Sequence, residues 1–205
     1  MRPPLPRLHA ITDEHVARRP ALESAARALV GGAGPDLALH ARGRTLSGLE
    51  HYRLALRLTI DPAIRLFVND RLDVALAVQA SGVQLPRGSL PPSAARRLDD
   101  RWWIGCSVHS LGEARSALDE GADYLLVGPV YPTATHPGVS PLGLGPLREI
   151  VGLGIPVIAI GGVTPQRAAE LRRTGAHGVA ALRALWDAAD PSAAAREMML
   201  AMDHT

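Results

Sequence analysis

Lysine is absent from this 205-residue chain, and all 22 of its basic residues are arginine. That absence excludes Schiff-base catalysis, which requires a lysine amine. The single cysteine, Cys106, excludes an intrachain disulfide; it falls in an apolar run, where a small buried hydrophobe in a reducing, cytoplasmic setting is expected. Aromatic residues make up only 3% of the chain, so an exposed Trp102-Trp103 pair would mark a contact surface, and homo-oligomerisation stays open. No stretch reaches the roughly 18 apolar residues of a membrane span, and the segment Met1–Pro6 lacks the apolar region of a signal peptide. Basic and acidic residues nearly balance at a net charge of +2 and are interspersed. Neither a membrane nor a nucleic acid is therefore expected as a partner.

What is present is a repeat of one short apolar run followed by one stretch with helical spacing. Strands are predicted over Leu8–Thr12, Asp36–His40, Ile64–Val68, Gly82–Leu85, Trp103–Ser107, Tyr124–Val127, Val157–Ile160 and Gly178–Ala180. Helices are predicted over Ala21–Val30, Leu46–Leu58, Leu72–Ala80, Pro92–Leu98, Leu111–Glu120, Leu144–Val151, Pro165–Thr174 and Leu182–Met199. Ser110 with Glu113 has capping-box spacing, and Thr164-Pro165 puts a cap before a first-turn proline. Eight such units predict a single (β/α)8 barrel over 1–205, with 1–7 as an N-terminal extension and 200–205 as a C-terminal tail. The first turn, Thr12-Asp13-Glu14-His15, has no glycine, which removes the chief support for a dinucleotide-binding sheet.

In a barrel the carboxyl ends of the strands carry the chemistry. Gly161-Gly162 ends the seventh strand and opens a helix, a turn whose backbone N–H groups suit a phosphate; a tight turn needing positive φ is the plainer reading. Leu182-Arg183 after the eighth strand would add donors and a guanidinium clamp, unless Arg183 is simply solvated. Thr133 and Thr135, in the long loop after the sixth strand, offer hydroxyls to the same sector. His109 follows the fifth strand in Gly105-Cys106-Ser107-Val108-His109 and is the candidate proton-transfer group, though a structural hydrogen-bonding role competes. Asn69-Asp70 after the third strand can orient a polar ligand, with Asp70 suited to one edge of Mg²⁺, or the pair can cap the next helix.

The stretches Asn69-Asp70-Arg71-Leu72-Asp73-Val74-Ala75-Leu76, Gly105-Cys106-Ser107-Val108-His109, Gly121-Ala122-Asp123-Tyr124, Gly128-Pro129-Val130-Tyr131-Pro132-Thr133-Ala134-Thr135 and Ala159-Ile160-Gly161-Gly162-Val163 together resemble the thiamine phosphate synthase and TenI superfamily. The likeness runs from Leu8 to about Trp186. It implies a barrel of thiamine biosynthesis that holds a phosphorylated thiazole through the Thr-x-Thr loop, the Gly-Gly turn and the loop after strand eight. It also implies two branches. A synthase joins the thiazole to a pyrimidine diphosphate with Mg²⁺; a TenI-like isomerase aromatises a thiazole carboxylate phosphate by moving a proton, without a cofactor. By the same likeness, His109 matches the histidine assigned to proton transfer.

The synthase pattern Gln-x-Arg-x-Lys after strand two corresponds here to Ala38, His40 and Arg42. A second metal-binding acid after strand four corresponds to Ser89, and the lysine after Thr-x-Thr corresponds to His136. These lost charges favour the isomerase, with Ser107 and Asn69 as further ligand contacts and His40 and His136 facing the mouth. The alternatives are a synthase with a rewired diphosphate site, using Asp70, Arg42 and Arg87, and a non-catalytic thiazole-phosphate-binding regulatory barrel.

Overall fold

The computed structural model describes residues 2–61, 64–133 and 138–204. Each apolar run becomes a parallel strand: β1 (Leu8–Ile11), β2 (Leu37–Ala41), β3 (Arg65–Asn69), β4 (Gly82–Leu85), β5 (Trp103–Val108), β6 (Tyr124–Val127), β7 (Val157–Ile160) and β8 (Gly178–Ala181). Neighbours pair in sequence order and β8 returns to β1, so the sheet closes. The fold is the (β/α)8 barrel expected from the sequence, with strand limits shifted by a residue at several ends.

The outer layer consists of α1 (Glu14–Ala17), α2 (Leu22–Ala33), α3 (Gly48–Leu58), α4 (Leu72–Ala77), α5 (Pro92–Leu98), α6 (Leu111–Asp119), α7 (Leu144–Val151), α8 (Pro165–Arg173), α9 (Arg183–Trp186) and α10 (Pro191–Asp203). Two differences from the predicted helices have local causes. The Asp13 carboxylate caps the Val16 N–H and starts the short α1 inside what reads as a loop. The single helix predicted over Leu182–Met199 is two, because Asp190 caps a new helix at Ala193 N–H and Pro191 occupies its first turn. The segment from residue 200, expected as a tail, continues α10 to Asp203, which lies against α2 and α8 and closes the helical ring.

Alternate strand residues face opposite sides, which divides the apolar residues into two sets. Leu8, Leu39, Val83, Ile104 and Leu125 point outward beneath the helices, and each is worth about 1.5–3 kcal/mol relative to exposure. Phe67, Tyr124, Leu126 and Ile158 fill the barrel interior, joined from below by Leu5 of the N-terminal segment. That segment seals the amino-terminal end of the barrel: Arg2 stacks 4.3 Å above the Trp103 ring, whose Nε1–H donates to the Pro3 carbonyl at 3.0 Å. Trp102 and Trp186 are buried at 1% and 2% exposure and Trp103 is partly buried, so residues 102 and 103 give no exposed pair. Cys106 is buried under the helices, and burial pushes its thiol up to about 12, which makes it inert.

Candidate active site at the barrel mouth

The end of β7 shows why glycine stands at 161 and 162. Both residues have positive φ, at 100° and 65°. A Cβ on Gly161 would lie 2.6 Å from Pro129 Cα, and one on Gly162 would lie 2.6 Å from the Pro132 carbonyl oxygen. The loop after β6 therefore runs directly against the bare turn, with Val130 N–H donating to the Ile160 carbonyl at 2.8 Å and Tyr131 N–H to the Gly161 carbonyl at 3.2 Å. Arg167, in the first turn of α8, clamps both: it donates to the Gly162 carbonyl and lies 4.5 Å over the Tyr131 ring. Burial and the contact with Glu170 push the Tyr131 hydroxyl up to about 12, so it stays a donor to that carboxylate.

Ile160 pairs with Ala180, so the glycine turn sits beside Ala181 and Leu182. Gly161, Gly162, Leu182 and Thr133 thus share one sector of the mouth, where main-chain groups predominate. Arg183 begins α9 and is exposed. Thr135 and His136 lie outside the described residues.

The opposite sector is built from side chains. Asp70, just past β3, has φ 67°, a left-handed backbone that costs a non-glycine residue about 1–3 kcal/mol. Its amide donates to the Gln84 carbonyl at 3.0 Å, and its Oδ1 accepts from Ser89 Oγ at 2.6 Å. Asp70, singled out for one edge of a metal, is thus hydrogen-bonded to Ser89, the residue that stands where the synthase pattern has a second acid. Arg42, just past β2, is half-buried and forms no ion pair among the described residues. Desolvation, and Arg44 nearby, lower its pKa, while Glu14 and Asp13 partly offset them. An under-compensated guanidinium at a strand end is suited to an anion.

His109 stands half-exposed at the end of β5. The expected Ser110–Glu113 capping box is only half made: Ser110 Oγ accepts from Glu113 N–H at 3.2 Å, but the Glu113 carboxylate turns to His109 instead. Glu113 Oε2 accepts from the His109 amide at 2.7 Å and faces its ring Nδ1 at 3.2 Å. Burial alone would raise the Glu113 pKa; the hydrogen bonds from His109 outweigh it, and the result is lowered. An imidazole held at Nδ1 by a carboxylate presents Nε2 to a substrate. Arg87 lies 3.8 Å from Glu113 and is 80% exposed, so its nearest charge is that carboxylate. Beneath this group a groove of about 340 Å³ is lined by Arg87, Ser89, Cys106, Ser107, Glu113 and Ser116. Ser107 accepts from Gln84 Nε2 at 3.0 Å on the inner side of the barrel.

Three expectations need correction. His40 does not face the open mouth: it is fully buried, with Nε2 2.8 Å from His9 Nδ1 and Nδ1 3.1 Å from Asn69 Oδ1. Ala38 is likewise sealed, so the altered synthase positions 38 and 40 are interior. Asn69 does not cap α4, whose first residues take no side-chain cap; it closes the top of a buried histidine chain. Two participants escaped the sequence reading. Glu113 carried a signal, its four-residue spacing from His109, but the capping box at three absorbed it. His9 carried none, because its partner depends on strand register. Among the described residues no cluster of three or more His, Cys, Asp or Glu could hold a metal by itself.

The class of protein is thus a (β/α)8 barrel with a backbone-built glycine turn on one side of its mouth and charged and acid/base side chains on the other. Residues 8–185 match the family model described as thiamine monophosphate synthase, and the chain belongs to that family. The thiamine-phosphate synthase of Chloroflexus aurantiacus is 40% identical over 198 residues, covering 94% of this chain and 90% of that protein. The thiamine-phosphate synthase of Pyrococcus furiosus is also 40% identical, over 196 residues, covering 94% and 92%. A solved structure of thiamine phosphate pyrophosphorylase from Pyrococcus furiosus superposes with a TM-score of 0.82 at 33% identity, covering 97% of this chain and 96% of that one.

Proposed function

We propose that the protein is an enzyme of thiamine biosynthesis that acts as a thiamine phosphate synthase, joining a thiazole phosphate to a pyrimidine diphosphate. A thiazole ring nitrogen forms a bond to the carbon bearing the diphosphate, and the bond from that carbon to the diphosphate oxygen breaks. The names of the similar proteins support this reading over the isomerase that the sequence pattern favoured. The observation that carries it is the pairing of Asp70 with Ser89 past β3 and β4, beside the β2 end where Arg42 forms no ion pair among the described residues.

Asp70 and the Ser89 hydroxyl supply one carboxylate and one neutral oxygen. This donor set fits a Mg²⁺ that arrives on a diphosphate, since Mg²⁺ takes one or two carboxylates and completes its shell with water and phosphate oxygens. When bound it would offset the charge of the departing diphosphate. Arg42 holds the same diphosphate from the side of β2. Main-chain groups of Gly161, Gly162 and Leu182, with Thr133, Thr135 and Arg183, hold the thiazole phosphate. Asn69 and Ser107 orient the rings between them. His109, held at Nδ1 by Glu113, keeps Nε2 available to take or give a proton.

The isomerase remains the second reading, favoured by the His109–Glu113 pair and by Ser89 where a second acid would strengthen a metal site. Two assays run side by side separate the readings. Incubation with both thiamine precursors and Mg²⁺ releases diphosphate if the protein is a synthase; aromatisation of the carboxylated thiazole phosphate without diphosphate release establishes the isomerase. Tight ligand binding with neither turnover leaves a regulatory barrel.

A further inference from the structure

A chain of three polar contacts runs inside the barrel from its floor to its mouth. The Pro6 carbonyl lies 3.0 Å from His9 Nε2, His9 Nδ1 lies 2.8 Å from His40 Nε2, and His40 Nδ1 lies 3.1 Å from Asn69 Oδ1. Both rings are at 0% exposure, and Asn69 is at 9%. Their ring neighbours are Phe67, stacked 5.0 Å from His40, and Tyr124, 5.7 Å from His9; among the described residues no carboxylate hydrogen-bonds to either imidazole.

Each contact needs one hydrogen, and the hydrogens can be counted. The Pro6 carbonyl only accepts, so His9 Nε2 must carry a proton. The contact between the rings needs one proton. If Asn69 presents Oδ1, His40 Nδ1 needs a third. Two neutral imidazoles bring two protons, so that arrangement leaves either a positive charge sealed without a counter-ion or two bare acceptors facing each other at one of the three contacts. A buried, unpaired charge is the costliest of these outcomes. Burial lowers the pKa of both rings, His9 well below the usual histidine range and His40 to about 4. The amide oxygen and nitrogen of asparagine are assigned from the hydrogen-bond network, and this network reverses them. With Asn69 Nδ2 donating to His40 Nδ1, His40 Nε2–H donating to His9 Nδ1, and His9 Nε2–H donating to Pro6, all three contacts are satisfied by a neutral pair.

We propose that His9 and His40 are positioning residues that lock the Asn69 amide with its oxygen turned into the mouth, so that the site beside Asp70 receives a neutral N–H or O–H donor of the substrate ring. Position 40 is an arginine in the synthase pattern. Here the same strand position sets the direction of a hydrogen bond and adds no charge to the mouth. The inference rests on the proposed function only in taking the mouth as the substrate site; the hydrogen count holds whichever ring is bound.

Nitrogen NMR of the ligand-free, ¹⁵N-histidine-labelled full chain at neutral pH tests the count independently of any activity. The expected spectrum has both rings neutral and protonated at Nε2 with bare Nδ1. A proton on His40 Nδ1, or a doubly protonated ring, overturns the proposal. His9→Phe removes the acceptor that fixes His40 while keeping ring volume. The substrate KM is expected to rise about tenfold, with kcat changed much less, as befits one lost neutral hydrogen bond. An unchanged KM in a folded variant overturns the link to the site; if the variant does not fold, the wild-type spectrum decides. Failure of the coupling reaction with the expected spectrum intact would reject the synthase reading alone.

Discussion

On the side of β6, β7 and β8 the mouth is lined by main chain, whereas on the side of β2, β3 and β4 it is lined by side chains. Gly161 and Gly162 owe their form to space, since Pro129 and Pro132 leave no room for a Cβ at either position. Asp70 and Ser89 owe theirs to a hydrogen bond bought with backbone strain. A backbone cradle recognises a phosphate on any substrate and tolerates exchange of side chains around it. It is in the side-chain sector that this chain departs from the synthase pattern, with His40 in place of an arginine and Ser89 in place of an acid. A shared anion site with an altered opposite wall is how one fold accommodates two chemistries.

Four predictions break or sharpen that contrast. Asp70→Ala strikes the side-chain sector and is expected to lower kcat of the coupling reaction by about 10²- to 10³-fold with little change in the thiazole phosphate Kd; steady-state kinetics beside ligand titration separates the two. The buried histidines predict an acid-labile barrel. Since His40 falls from 6.5 to about 4 on folding, the unfolded chain takes up a proton that the native state refuses. Stability is therefore full above pH 6.5 and falls as pH drops toward 4, by about 3 kcal/mol from His40 alone. Denaturant titrations at pH 7 and pH 4 measure it, and His40→Phe should flatten the difference.

Gly162→Ala attacks the main-chain sector. The positive φ and the Pro132 carbonyl predict a loss of about 1–3 kcal/mol in stability with a raised KM for the thiazole phosphate. Thermal unfolding and initial rates check both. The smallest effect belongs to Arg42→Lys, which keeps the charge and loses the fork; less than about tenfold in the pyrimidine diphosphate KM is expected. A large loss there would mean that Arg42 binds the diphosphate through two parallel hydrogen bonds.

The barrel was legible in the sequence because each of its strands is a short apolar run closed by glycine or a polar residue, and burial on both faces leaves no other use for such a run. The last helix was misread because Ala-rich sequence continues across Asp190-Pro191, where cap and proline restart the helix. Gly161-Gly162 and His109 were legible because position in the repeat places them at strand ends. His40 was misjudged as a mouth residue because one-dimensional order does not state depth. Its ring faces inward, where β1 sets His9 opposite the small Ala38 and lets that ring reach His40. Glu113 was assigned to a cap because spacings of three and four residues share one helix face, and the carboxylate reached the histidine four back.

The most direct test of the assignment is diphosphate release measured with thiazole phosphate, pyrimidine diphosphate and Mg²⁺ together. The account predicts release in step with the joined product, lost when Mg²⁺ is chelated. Aromatisation of the carboxylated thiazole phosphate at full rate under chelation, with no diphosphate formed from the precursor pair, would contradict it.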